Sequence, residues 1–115
     1  MQPAISPADV QSCIAGHGGA ALAELDGLSP ADPDASRKLS EVMRQFVSMR
    51  DELIAAQRHG ASCRTELQRN NALISSIFGV EFAVAGVQWQ RVCDTREALR
   101  QLLNDAAPEA ARRGA

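Results

Sequence analysis

Between residues 39 and 56 the apolar side chains recur at alternating intervals of three and four: Leu39, Val42, Phe46, Met49, Leu53 and Ala56. That rhythm lines them along one face of an α-helix. Met43, Val47 and Ile54 widen the face on one side, while Arg37, Arg44, Asp51 and Arg58 fall on the other, so a helix over residues 34–58 is predicted. It ends in "RHGAS", where Gly60 suits a left-handed terminus and Ser62 suits the N-cap of a following helix. The heptad also runs on through Gly60, Cys63 and Leu67, and an interior Gly costs only about 1 kcal/mol relative to Ala. One unbroken rod therefore competes with a hairpin of two helices, and the hairpin is expected because it buries more surface within one molecule.

The stretch "FGVEFAVAGVQWQRV" at residues 78–92 supports two periods. As a helix, Leu67, Ile74, Phe78, Phe82, Ala85, Trp89 and Val92 share one stripe, and Leu73, Ile77, Val80, Val84 and Val87 share a second. Ser76, Gly79, Ala83 and Gly86 form a line of small residues along which another helix can approach. As a β-hairpin the stretch would turn at Ala85-Gly86, but Ala is costly in the first position of a tight primed turn, and an isolated hairpin is marginal in water. A helix over residues 62–92 is the expected reading, with the hairpin as its competitor. "CDTREALRQLLND" then adds a short last helix, with Asp94 and Glu97 as a capping box, Leu99, Leu102 and Leu103 as its apolar face, and Pro108 beyond its end.

The first third of the chain is less regular. Ser6 suits an N-cap and Pro7 a first helical position, and Gly16 reads as a stop, which gives one short helix. Leu22, Leu25 and Leu28 mark a second short segment that must dock on something to persist. The expected organisation is an acidic N-terminal arm over residues 1–33, a helical bundle domain over 34–107 and a frayed tail over 108–115. The fold class that follows is all-α: an antiparallel helical hairpin or small bundle with two long helices and a short C-terminal one.

Composition sharpens this picture. Hydrophobic residues make up 45% of the chain but aromatic ones only 3%, so the core must be aliphatic and alanine-rich, as in packed helices. The net charge of -2 conceals five acids and no base before Arg37, followed by a basic remainder that can attract them. The arginines are dispersed, unlike a nucleic-acid footprint, and no recognition helix gathers them. No apolar run approaches a membrane span, and "MQPAISPADV" has neither a basic nor an apolar signal region, so a cytoplasmic location is expected. Cys13, Cys63 and Cys93 are too widely spaced for a CxxC motif and read as reduced thiols.

Candidate chemistry is sparse. "AGHGGA" has the glycines of a phosphate or oxyanion loop but lacks the residues that complete one, so it reads as a loop between helices. His59 and Cys63 stand at i, i+4, a spacing that can present two metal ligands; a surface histidine beside a buried cysteine is the plainer reading. Asp51-Glu52 is a solvated pair with no nucleophile near it in sequence. No catalytic residue, metal ligand or cofactor is assigned, and no enzymatic activity is expected. Binding remains: a helix with two apolar stripes either sits centrally in a bundle or offers one stripe to another chain, with Phe82 and Trp89 as anchors if they are not simply core.

The segment "LSEVMRQFVSMRDELIAAQRHGASCRTELQRNNALISSIFGVEFAVAGVQW" at residues 39–89 resembles the FlgN-type flagellar export chaperones over about half of the chain. The points of likeness are Arg50, Leu53, Leu67, Asn70, Asn71, Leu73 and Ile74. The resemblance implies a cytoplasmic chaperone whose last long helix cradles an amphipathic segment of an export substrate. It implies that Ile74, Phe78, Phe82 and Trp89, with Asn70 on the same helix, contact that partner. The competing expectation, from the heptad across Gly60, is a self-assembling coiled-coil subunit whose partner is a second copy of itself.

Overall fold

The computed structural model describes residues 7–80 and 87–106. They form four α-helices: α1 Pro7–Asp26, α2 Ala35–Arg58, α3 Arg64–Ile77 and α4 Val87–Ala106. No strand occurs among the described residues, and the fold is an all-α bundle. Each helix packs on its neighbours in sequence, and α1 closes the ring against α4.

The seams are antiparallel. Cys13 lies by the Met49 carbonyl and His17 by Gln45, so α1 rises as α2 descends. Asn70 Nδ2 donates to the Phe46 carbonyl across the α2–α3 seam. Arg69 meets Asp105 while Ser76 meets Thr95 across the α3–α4 seam.

The α2 stripe packs as its spacing requires: Leu39, Val42, Phe46, Met49, Leu53 and Ala56 are all buried. At its end the chain turns at Gly60, whose φ of 96° is a left-handed conformation that a Cβ would oppose. That turn removes the continuous rod and makes α2 and α3 neighbours. The cap of α3 is Cys63 rather than the expected Ser62, and its side chain makes no capping hydrogen bond. Instead the buried Cys63 thiol donates to the Leu53 carbonyl at 3.3 Å, fastening the turn to α2.

Three expectations need correction. First, residues 7–26 are not an arm with a short helix ending at Gly16: α1 runs straight through "AGHGGA". Val10, Ile14, Ala21, Leu25 and Leu28 are buried in the common core, and Gly18 occupies the missing place in their spacing. A Cβ on Gly18 would lie 2.7 Å from Leu103 Cδ2, so the glycine belongs to a close α1–α4 approach rather than to a loop. Two acids of the first third do meet later bases: Asp26 pairs with Arg100 at 2.5 Å and Asp32 with Lys38 at 2.5 Å.

Second, the helix expected over residues 62–92 is broken. Phe78 leaves helical geometry with ψ 127°, and Gly79 follows with φ 83°, after which Val80 turns back into the core. Third, Asp94 and Glu97 do not cap a separate last helix, because α4 is continuous from Val87 to Ala106; Asp94 accepts a mid-helix bond from Gln90. Residues 87–92 are helical, which removes the second arm of the alternative hairpin. Ser6, the Ala85-Gly86 turn and the 108–115 tail lie outside the described residues.

Candidate functional site

Four of the five predicted contact residues are described, and they differ in exposure. Asn70 is wholly buried, with Nδ2 bonded to the Phe46 carbonyl at 3.2 Å, so it joins α3 to α2 and offers nothing to a partner. Ile74 and Trp89 are half-buried against the core. Phe82 lies outside the described residues. Phe78 stands out at 68% exposure, the one large hydrophobic side chain so exposed among the described residues.

The exposure of Phe78 follows from how α3 ends. The last carbonyls of a helix have no partner within it, and here Arg91 supplies one from α4. Its Nε donates to Ser76 O at 2.9 Å and its Nη2 to Ser75 O at 3.2 Å and Phe78 O at 2.9 Å. A cation at a helix C-terminus also meets the negative end of the macrodipole. With its carbonyl held and Gly79 turning the chain away, Phe78 is left pointing off the bundle. Below this clamp Ser76 and the buried Thr95 share a 2.6 Å hydrogen bond. Beside it α3 and α4 leave an open, mostly apolar groove of about 450 Å³, with Ala72, Leu73, Ala98 and Leu102 among its walls. Arg91 was not singled out in the sequence, because its role appears only once the break at Phe78 is known.

The opposite seam carries more chemistry. Cys13 and His17 are one turn apart on α1, and Glu52 reaches them from α2, so that a sulfur, a ring nitrogen and a carboxylate oxygen all lie within 4.8 Å of one another. They border a shallow pocket of about 540 Å³ that Asp9 and Gln45 also line. The ring of His17 is held by a chain of polar groups. Arg44 donates to Glu41 at 2.5 and 2.8 Å, Gln45 Nε2 donates to the same carboxylate at 2.9 Å, and Gln45 Oε1 accepts from His17 Nδ1 at 2.8 Å. Arg44, and then Gln45, hold the Glu41 carboxyl down to about 2. It therefore remains an acceptor, which fixes the Gln45 amide and places the proton of His17 on Nδ1. His17 Nε2 faces the Glu52 carboxylate in close contact. Burial disfavours the charged ring, but the bonds to Gln45 and Glu52 outweigh it and raise the His17 pKa above its ordinary 6.5.

A thiol, an imidazole and a carboxylate also invite comparison with a cysteine nucleophile and its base. The arrangement opposes that reading. Both nitrogens of His17 are engaged by other groups, and the Cys13 thiol lies 3.9 Å from the Met49 carbonyl as a weak donor. Burial, with Glu52 and Cys63 nearby, pushes the Cys13 thiol up to about 11, opposite to what an activated cysteine needs. The i, i+4 pair weighed in the sequence stands differently: His59 is exposed and Cys63 buried, and they do not converge. Cys13 and His17 have the same spacing, which the loop reading of "AGHGGA" hides. Comparison with known protein families, with characterised proteins and with solved structures finds no match.

Proposed function

We propose that the protein is a non-enzymatic binding module, of the export-chaperone or adaptor kind, that holds an amphipathic helical segment of a partner protein against its α3–α4 face. Phe78 carries this reading. A phenylalanine exposed over 68% of its surface forgoes burial worth about 1.5–3 kcal/mol, and a partner's apolar face can recover it. A groove between α3 and α4, which Phe78 does not itself line, supports the reading separately: its apolar walls are bordered by charges of both signs, Arg69 and Asp94. Apolar walls with a mixed charged rim suit a helix with one apolar and one polar side. The FlgN-type likeness supports the same class more weakly, since Leu53, Asn70 and Leu73 are buried and serve packing. The heptad that favoured a self-assembling rod loses its basis at the Gly60 turn.

A photo-crosslinking phenylalanine analogue placed at position 78, with the exposed Arg58 position as control, tests the proposal in the native cell. The expected result is an adduct specific to position 78 that maps to a helical segment of one other protein. A synthetic peptide of that segment should bind the purified chain and lose about tenfold or more in affinity on Phe78→Ser, as for a hot-spot aromatic. An adduct only with a second copy, no specific adduct, or peptide binding unchanged by Phe78→Ser would each overturn it.

A further inference from the structure

We propose that Cys13, His17 and Glu52 bind a divalent transition-metal ion, zinc by the chemistry of the set, with water completing the coordination and the ion tying α1 to α2. The site is separate from the α3–α4 face and does not rest on it.

The hydrogen-bond chain through Gln45 motivates the site. With the proton of neutral His17 on Nδ1, the Nε2 lone pair faces the Glu52 carboxylate, which is an acceptor too. Two acceptors come together only across something positive, either a proton or a metal ion. A proton would satisfy those two atoms, yet a third Lewis base, the Cys13 sulfur, also lies within 4.8 Å of both. Sulfur, imidazole nitrogen and carboxylate oxygen are the three zinc donors found in proteins, and three of them with one open position make a zinc site accessible to solvent. Gln45 supplies what such sites add outside the ligands: an acceptor on the remote ring nitrogen that sets the tautomer and the ring plane. Two ligands come from one turn of α1, whose helical geometry fixes their spacing, and the third from α2.

Tetrahedral zinc at about 2.0–2.3 Å from each donor needs them roughly 3.5 Å apart. The closely spaced His17–Glu52 pair must therefore open, by side-chain rotation into the adjoining pocket. The exchange balances as follows: the ion enters, the Cys13 S–H proton leaves to solvent as the S–metal bond forms, and any proton held between His17 and Glu52 is released with it.

Titration of the reduced, metal-free protein with Co²⁺, followed by Zn²⁺, tests the site. Binding of one ion per chain is expected, with a thiolate-to-cobalt charge-transfer band that Zn²⁺ abolishes by displacement. Cys13→Ser should remove the band, and His17→Ala and Glu52→Gln should each weaken binding. Gln45→Leu, which keeps all three ligands, should weaken it about tenfold or more, while His59→Ala should leave it unchanged. Circular dichroism of each variant verifies that the bundle persists. The proposal fails if no thiolate band appears, if the band survives Cys13→Ser, or if His59→Ala abolishes it. Should Cys13→Ser fail to fold, Gln45→Leu and His59→Ala still decide, since affinity lost in the second and kept in the first places the ion elsewhere.

Discussion

The α1–α2 and α3–α4 seams are built on the same antiparallel packing, yet they spend their polar residues differently. On the α3–α4 side Arg91 and Thr95 answer backbone and hydroxyl groups at the end of a helix, and the polar groups complete the fold. On the α1–α2 side Arg44, Glu41, Gln45, His17 and Glu52 form a side-chain chain along the solvent edge that no helix end requires. A seam whose polar groups finish secondary structure should be costly to disturb. One whose polar groups meet each other at the surface should be tolerant, and is the place where chemistry can be added at small cost to stability.

The sharpest way to break this contrast is Arg91→Ala. It strips the carbonyls of Ser75, Ser76 and Phe78 of their charged donor and should cost about 2 kcal/mol, read as a lower denaturant midpoint with an unchanged slope. A loss no larger than that of an exposed substitution would mean that water replaces the guanidinium and that the two seams are alike. Gly16→Ala and Gly19→Ala probe the other side. A Cβ at either meets nothing within 4 Å, so each should stabilise α1 by about 0.5–1 kcal/mol. Gly18→Ala should gain less or lose, because its Cβ meets Leu103. A thermal melt of the three variants checks the order.

The smallest effect belongs to His17. Its folded pKa is raised, so the contribution of its pairing is complete below pH 6.5 and fades as pH rises through the folded value. Glu52→Gln removes one of the two bonds that raise it and should bring the His17 titration back toward 6.5, seen in the ring proton shifts by NMR of the metal-free protein. A titration unmoved by Glu52→Gln would mean that Gln45 alone holds the ring.

How much of this was legible differs between the partners of a single seam. α2 could be read because every core position from Leu39 to Leu53 carries a branched, aromatic or long apolar side chain, and Phe46 and Met49 at its centre leave no doubtful step. α1 could not, because Gly18 stands on its core line between Ile14 and Ala21, and Gly16 and Gly19 beside it imitate a helix stop. The break at Phe78 was hidden for the opposite reason: the apolar stripes continue past it in sequence, while the break lies in the backbone angles of Phe78 and Gly79. For the same reason the sequence places Phe78 on an apolar stripe and does not reveal the cause of its exposure. Cys13 and His17 would have appeared as a pair to anyone who accepted helix through the glycines. Glu52 would not, since the register of α1 on α2 is a tertiary fact.

The closure of α1 on α4 has a consequence for how the protein is made. Asp26 and Arg100 are 74 residues apart, and pairings of such separation form late because the intervening chain must first be ordered. During synthesis α1 and α2 emerge first and can join along the seam that holds Cys13, His17 and Glu52. The Gly18 flank of α1 waits uncovered until Leu99 and Leu103 have left the ribosome. A nascent chain stalled before α4 therefore carries Cys13, His17 and Glu52 together on a half-built bundle, with the Gly18 flank of α1 open to whatever helix arrives first.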